Sequence, residues 1–336
     1  MKSPALLLLL TGLLAAAPAL AQEAPTPAPE TGTRPYPLAN TEVIRIPAKA
    51  LGRDYDYVVT LPFGYAANPE RRYPVLMYTD VPQSVNLITG MHRRLRAGGR
   101  GLEDAILVGL GYAVGDTAEY SRRRDYTPTP HGDIDARSDM PGRAVAYGEA
   151  EAYRLHLRDE VFPELERRYR IDPARRIYLG HSYGGLFGTH VLLSEPAMFG
   201  RYVLISPSLW YGRRLMIARE RGYASQHKDM PAEAFFMIGG EETVPDPDTE
   251  PHSASRMAMV EDMDEMVRTL EGRRYPGFRV KQQVFPGEDH GSVYVPAVRA
   301  GLEWALPGSG KGAHVPCLDQ AGKPIPNCRM PWAPGN

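Results

Sequence analysis

The residues Gly180-His181-Ser182-Tyr183-Gly184 decide the fold prediction for this chain. They follow a short apolar run at 176–179 and precede a stretch of helical character at 184–194. A Gly-x-Ser-x-Gly pattern between a strand and a helix is typical of a tight turn that lifts a serine hydroxyl out of a sheet. The flanking glycines let neighbouring backbone approach closely. The stretch therefore predicts an exposed serine at the carboxyl end of a buried strand.

Apolar runs and helical stretches alternate on both sides of this turn. Strands are predicted at 41–46, 55–61, 73–79, 105–109, 176–179, 202–205, 234–238 and 279–285. Helices are predicted at 149–169, 184–194, 257–270 (a methionine-rich stripe, expected to pack in the core) and 295–306. Pro163 is expected to bend or interrupt the first helix, and 127–148 is predicted to be a long loop. This alternation indicates an α/β fold with a mostly parallel central sheet and helices on both faces.

Composition limits the class of protein. The 336 residues include 39 Lys and Arg against 40 Asp and Glu, and 43% are hydrophobic. This balance is ordinary for a folded globular chain, and it excludes overall disorder. It also lacks the positive excess that a nucleic-acid partner would require. No metal site and no cofactor are predicted.

The first 21 residues have the features of a secretory signal peptide. A positive start at Lys2 is followed by apolar runs and by Ala19-Leu20-Ala21, a small-x-small cleavage site. The alternative, an uncleaved anchor, conflicts with the shortness of the apolar run. We expect cleavage after Ala21, a periplasmic or secreted mature chain without a membrane span, and a Pro-rich lead-in at 22–40. The folded domain is then predicted at 41–308.

The two cysteines are interpreted through this expected export. In an oxidising compartment Cys317 and Cys328 are expected to form a disulfide in a tail at 309–336. Two unpaired thiols remain the alternative. No catalytic role is predicted for either cysteine.

A serine nucleophile needs a general base, and the base needs an orienting acid. In folds with this turn the chain order is serine, acid, histidine. His290 follows the last predicted strand and is the predicted base for Ser182. The acid is predicted just past the strand at 234–238, with Glu242 preferred, Glu241 as the alternative and Asp246 third.

The transition state of acyl transfer also needs backbone donors for its oxyanion. One is predicted to be the N–H of Tyr183, directly after the nucleophile. The second is expected after the strand at 73–79, where Val81 carries an N–H and Pro82 does not.

Further stretches of the chain carry a family resemblance. They are Leu61-Pro62-Phe63-Gly64-Tyr65, 73–76 with Asp80, Arg124-Asp125-Tyr126-Thr127-Pro128, 180–187, Ser206-Pro207-Ser208-Leu209-Trp210, and Asp289-His290. From about 41 to 306 the chain resembles the esterase D-type serine hydrolases of the α/β-hydrolase superfamily. It looks most like the siderophore-trilactone esterases of the enterobactin and salmochelin hydrolase type.

The resemblance implies an exported serine esterase that acts on a small-molecule ester through an acyl-enzyme, without a cofactor. An iron-siderophore trilactone is the leading substrate. Feruloyl, acetyl or other small acyl esters, acyl transfer to another acceptor, and a non-catalytic binding module are the alternatives. Because the acid can be weak or absent in this subgroup, a Ser182–His290 dyad is also open.

The resemblance also suggests where substrate would bind. Arg124 and Tyr126 belong to a stretch that lies at the site mouth in relatives, and Trp210 could stack on an aromatic acyl unit. The arginines at 122–124 are expected to attract an anionic complex. The alternative is that the arginines are solvated and that Trp210 packs against the core.

Overall fold

A computed structural model of the chain describes residues 36–97, 101–132, 137–244, 257–308 and Ile325. The predicted signal peptide, most of the lead-in, Asp246, and the expected Cys317–Cys328 disulfide lie outside the described residues. Among the helices of the described ranges, none combines the length and the apolar character needed to cross a membrane.

The described residues form one eight-stranded sheet. Its strands are β1 (Thr41–Ala48), β2 (Arg53–Thr60), β3 (Tyr73–Tyr78), β4 (Ile106–Ala113), β5 (Ile171–His181), β6 (Arg201–Ile205), β7 (Ala232–Gly239) and β8 (Phe278–Phe285). The order across the sheet is β1-β2-β4-β3-β5-β6-β7-β8. The pairs β1–β2 and β2–β4 are antiparallel, and the strands from β4 to β8 run parallel. The predicted mostly parallel sheet is confirmed.

The helices within the described ranges are α1 (Val81–Ala97), α2 (Ala118–Tyr126), α3 (Ala150–His156), α4 (Phe162–Arg168), α5 (Tyr183–Leu192), α6 (Tyr211–Gln226), α7 (Met259–Arg273) and α8 (Tyr294–Ala305). The predicted helix at 149–169 is present as α3 and α4, joined by the wide turn Leu157–Val161. Pro163 lies in the first turn of α4, directly after this wide turn, so the helical run is irregular beside the proline, as expected. Helices α1, α2 and α6 were not predicted.

Apolar side chains cover both faces of the sheet. Leu204 and Phe236 point to one face, in a core that includes Met263 and Met266 of α7. Val203 and Phe235 point to the other face, in a core that includes Leu302 of α8. Because neighbouring strand residues alternate between two buried faces, the central strands are continuous apolar runs.

The parallel strands bring the predicted site residues to one edge of the sheet. Val81 begins α1 after β3, Ser182 follows β5, and Glu242 and His290 follow β7 and β8. In parallel α/β sheets ligands bind outside the carboxyl ends of the strands. The fold therefore positions all four residues at the edge where a site is expected.

Candidate active site

Ser182 lies at a strained turn between β5 and α5. Its φ is 58° and its ψ is −118°, a conformation that non-glycine residues rarely adopt. Its N–H donates to Ile205 O at 3.0 Å, and its carbonyl accepts from Leu186 N at 2.9 Å. A Cβ at Gly180 would overlap the carbonyl of Gly184, so the flanking glycines are needed for the close approach at this turn. The predicted strand-turn-helix geometry is present.

Glu242 and His290 form a hydrogen-bonded pair. The distance between His290 Nδ1 and Glu242 Oε2 is 2.6 Å. Because an ionised carboxylate accepts here, the ring proton belongs on Nδ1 and Nε2 is left as a proton acceptor. The His290 side chain is 45% exposed, whereas that of Glu242 is 3% exposed. The pair therefore joins an accessible imidazole to a buried carboxylate.

The Glu242 carboxylate has two further donors. Its Oε1 accepts from Ser206 Oγ at 2.6 Å and from Gly239 N at 2.9 Å. Burial raises the pKa of the Glu242 carboxyl, but the hydrogen bonds from His290, Ser206 and Gly239 outweigh it and lower this pKa below its ordinary value. Glu242 is therefore held ionised and fixed in orientation.

Ser206 was not predicted as a functional residue. It is fully buried, has a φ of 42°, and donates its N–H to Met237 O at 2.7 Å. Its only signal in the sequence was its place in the stretch 206–210 that carries the family resemblance. Which side chain its hydroxyl contacts depends on the packing of β6 against β7.

Glu241, the alternative acid, points elsewhere. It is exposed, and its backbone N–H donates to Glu288 O at 3.1 Å. The structure thus brings Glu242, rather than Glu241, to His290. Asp246, the third candidate, lies outside the described residues.

The two predicted oxyanion donors begin two helices. Tyr183 is the first residue of α5 and Val81 is the first residue of α1. N–H groups in a first helical turn have no acceptor within the helix, and the positive end of the helix dipole favours negative charge there. Asp80, directly before Val81, has a φ of 62° and its carbonyl accepts from Gln83 N and Ser84 N.

A cleft of about 540 Å³ lies over Ser182 and His290. Its walls include Asp80, Tyr112, Arg122 and Tyr294. A volume of this size is typical of a small-molecule site. A hollow of about 640 Å³ beside α7 is lined by charged side chains, and no predicted site residue is among them.

The charges of the cleft are paired within the protein. Arg122 Nε donates to Asp80 Oδ1 at 2.6 Å, and Nη1 lies 3.6 Å from Glu119 Oε2. Burial lowers the pKa of the Arg122 guanidinium, but Asp80 and Glu119 outweigh it and raise this pKa. One cation between two carboxylates gives the cleft no excess of positive charge.

His181 is a second imidazole beside the base. Its ring centroid lies 4.6 Å from that of His290, and its Nε2 lies 2.9 Å from the His290 carbonyl oxygen. Burial, together with the nearby His290, lowers the pKa of His181 to about 4. A neutral His181 therefore donates to the His290 backbone and holds the loop that carries the base. In the sequence, His181 was recognisable only as part of the serine turn, without a role of its own.

Arg124 and Tyr126 do not lie in the cleft, which corrects their predicted contact with substrate. The Arg124 side chain is 4% exposed and pairs with Asp116 at 2.7 Å and Asp125 at 2.8 Å. Tyr126 is buried with its ring 5.6 Å from that of Phe187. Residues two apart on a helix point about 200° away from each other. Arg122 on α2 can therefore face the cleft while Arg124 faces the interior.

The expected attraction of an anionic complex by the arginines at 122–124 is also not supported. Arg123 lies 3.2 Å from Glu119 and 3.4 Å from Asp139, and its two neighbours are paired as described. Each positive charge of the cluster is therefore balanced locally.

Trp210 lies beside the serine turn. It is half-buried, and its ring packs 6.2 Å from that of Tyr183 and 6.1 Å from that of Tyr211. Contact between Trp210 and an aromatic acyl group stays a prediction.

The mostly parallel sheet and the strained serine turn at its carboxyl edge define an α/β-hydrolase fold with the geometry of a serine hydrolase. The chain belongs to the esterase family described as "Putative esterase", whose model matches residues 48–246.

Individual relatives agree with this membership. The ferri-bacillibactin esterase BesA of Bacillus subtilis is 29% identical over 281 residues, which cover 81% of this chain and 91% of that protein. The siderophore triacetylfusarinine C esterase of Aspergillus fumigatus is 26% identical over 165 residues, or 48% of this chain and 53% of that protein. The crystal structure of an IroE-like serine hydrolase from Shewanella oneidensis shares the fold, with a TM-score of 0.65 and 21% identity over 79% of each chain. The chain is a serine carboxylic-ester hydrolase.

Proposed function

We propose that this protein hydrolyses the ester bonds of a ferric siderophore, with Ser182 as nucleophile, His290 as general base and Glu242 as orienting acid. The observation that carries the chemistry is the 2.6 Å bond between His290 and Glu242 beside the cleft that holds Ser182. The siderophore is supported by two relatives whose names state that activity.

The first half of the reaction forms an acyl-enzyme. Ser182 Oγ attacks the ester carbonyl carbon while His290 Nε2 takes the hydroxyl proton. The oxyanion of the tetrahedral intermediate accepts hydrogen bonds from the N–H groups of Val81 and Tyr183. Collapse of the intermediate breaks the ester C–O bond, and His290 returns the proton to the departing alcohol oxygen.

The second half releases the acid. Water attacks the acyl carbonyl as His290 takes its proton, the same two donors hold the oxyanion, and the proton returns to Ser182 Oγ. The ionised Glu242 stabilises the imidazolium that forms in both halves. Because three hydrogen bonds already fix this carboxylate, it needs no reorganisation during the reaction.

Substrate recognition in this proposal does not depend on bulk charge. Asp80 and Glu119 balance Arg122 within the cleft. The proposed selectivity instead comes from the size and walls of the cleft, with Trp210 beside the serine turn as an aromatic surface.

We also propose that the enzyme acts outside the cytoplasm. The positive start, apolar run and small-x-small site of residues 1–21 support cleavage after Ala21, and export would allow Cys317 and Cys328 to pair. The intact mass of the protein recovered from the natural host, before and after reduction and alkylation, tests both points. An uncleaved mass, or alkylation of both thiols without reductant, would contradict them.

The siderophore proposal is tested by product analysis. Purified protein and its Ser182→Ala variant are incubated with ferric bacillibactin, triacetylfusarinine C and a feruloylated sugar, and the products are analysed by mass spectrometry. The proposal predicts a ring-opened siderophore that is one water heavier, formed by the unmodified enzyme alone. Cleavage of only the feruloyl ester would contradict the siderophore assignment. Equal products from the Ser182→Ala variant would contradict the mechanism.

A further inference from the structure

Arg122 contacts both predicted oxyanion turns: the side chain of Asp80, which precedes the donor Val81, and the ring of the donor Tyr183. Its Nε donates to Asp80 Oδ1 at 2.6 Å, and Asp80 directly precedes Val81. Its guanidinium carbon lies 5.5 Å from the centroid of the Tyr183 ring. The Arg122 side chain is 17% exposed and Asp80 is 15% exposed. One guanidinium therefore touches the turn after β3 and the turn after β5.

On one side of this contact, Asp80 lies in a strained turn. Asp80 has a φ of 62°, a conformation that is unfavourable for a residue with a Cβ. Besides Arg122, its carboxylate accepts from Thr79 Oγ1 at 2.9 Å and from Tyr112 OH at 3.2 Å. These three donors hold the side chain of Asp80, and the backbone of Asp80 sets the plane of the peptide that carries the N–H of Val81.

The Tyr183 side of the contact is a ring held between neighbours. Tyr183 is half-buried, with Trp210 at 6.2 Å and Tyr211 edge-on at 5.9 Å between ring centroids. Arg122 adds a cation to this group. Since Tyr183 is the first residue of α5, fixing its ring also fixes the start of the helix that carries its N–H.

We propose that Arg122 is a positioning residue that holds the Val81 and Tyr183 N–H groups in the relative placement that an oxyanion needs. This inference rests on the proposed function, which uses those two donors. A guanidinium suits the role because its plane can donate to a carboxylate while its face packs near an aromatic ring. A lysine ammonium offers a point charge and cannot do both. The alternative role is a direct contact between Arg122 and the substrate. The positive charge of Arg122 is already paired with Asp80 and Glu119, which argues against that role.

Steady-state kinetics on two esters separate these roles. Arg122→Gln and Arg122→Lys are compared with Arg123→Gln, a matched control on the same helix whose side chain is 15% exposed and pairs with Glu119 and Asp139. The substrates are a neutral 4-nitrophenyl ester and one with an anionic acyl group. Positioning predicts that Arg122→Gln lowers kcat about 10–100-fold on both esters with KM nearly unchanged, because each oxyanion donor contributes at least that much. Arg122→Lys should be intermediate, and Arg123→Gln should match the unmodified enzyme.

Amide hydrogen exchange tests the same proposal without turnover. The amides of Gln83 and Ser84 are bonded to Asp80 O, and that of Leu186 is bonded to Ser182 O. Arg122→Gln should speed exchange at 83–84 and at 186, and Arg123→Gln should not. This readout stays valid even if Ser182→Ala hydrolyses esters as fast as the unmodified enzyme, a result that would contradict only the proposed function.

Two results would overturn the role of Arg122. One is a raised KM for the anionic ester with kcat retained on the neutral one, which would make Arg122 a substrate contact. The other is an Arg122→Gln variant whose amides at 83–84 and 186 exchange at the same rates as in the unmodified protein. That result would show that the two turns do not depend on Arg122.

Discussion

At the level of single residues, the adjacent Glu241 and Glu242 differ in burial and in hydrogen bonding. Glu242 is buried and bonded to His290, Ser206 and Gly239, whereas Glu241 is exposed on the same turn after β7. The chain order serine, acid, histidine predicts that one of them orients the base. The geometry of the turn after β7 directs the side chain of Glu242 to His290.

Replacing Glu242 by Gln should lower kcat by on the order of 10²–10⁴-fold, because the amide cannot stabilise the imidazolium and can impose the wrong ring tautomer. Glu241→Gln is the matched control and should retain the activity of the unmodified enzyme. Both are measured on a chromogenic short-chain ester. A Glu242→Gln enzyme with nearly unchanged kcat would indicate a Ser182–His290 dyad and contradict the role given to Glu242.

The lowered pKa of His181 predicts a pH-dependent stability. Its pKa is about 4 in the folded protein, against an ordinary value of 6.5. The unfolded chain therefore binds this proton first as pH falls. The stabilising contribution of a neutral His181 is complete above pH 6.5 and is lost as pH falls towards 4.

The free energy of unfolding, measured at several pH values, tests whether stability falls with pH in this way. Denaturant titrations at pH 7.5, 5.5 and 4.5 should show the unmodified protein losing more stability than His181→Gln, by at most about 1.4 kcal/mol per pH unit. The comparison cancels the other buried histidines, which both proteins share. Parallel curves across this range would contradict a neutral, buried His181.

At the element scale, strands were more predictable than helices. β3 is buried at all six of its positions, so its apolar run is visible in the sequence. The buried side of α2 instead carries Arg124 and Asp125, which pair with each other, and α6 begins with left-handed residues at 212–214. Apolar periodicity cannot reveal a helix whose buried face is ionic or whose first turn is irregular.

The end of β7 packs so closely against the loop that carries His290 that a methyl group added at Gly239 is expected to disturb catalysis. A Cβ at Gly239 would overlap the carbonyl oxygen of Glu288 and lie 2.9 Å from that of Asp289. Gly239→Ala should therefore displace this loop and lower kcat at least about tenfold, since small misplacements of a catalytic group have large effects.

Gly272 in α7 provides the control for this substitution. A Cβ there meets nothing within 4 Å, so Gly272→Ala should keep full activity and raise stability by about 0.5–1 kcal/mol. Ester kinetics and thermal unfolding are measured on both variants. Equal activity of the two would contradict the close packing assigned to Gly239.

At the scale of the whole molecule, the site could be predicted where it follows from chain order. A parallel sheet brings the ends of β5, β7 and β8 to one edge, so Ser182, Glu242 and His290 were accessible to sequence reasoning. The contacts of Arg122 were not, because they depend on how α2 packs against the turn after β3. The same packing explains why Arg124, two residues along, was wrongly expected at the cleft.

In the proposed reaction Ser182 opens an ester through a covalent intermediate. The most direct measurement is peptide mapping by mass spectrometry after reaction with a fluorophosphonate, which captures an activated serine. We predict one adduct per chain, on Ser182, with ester hydrolysis lost in proportion to labelling and no adduct in the Ser182→Ala variant. Labelling at another residue, or full hydrolysis by the fully labelled protein, would contradict the role of Ser182 as nucleophile.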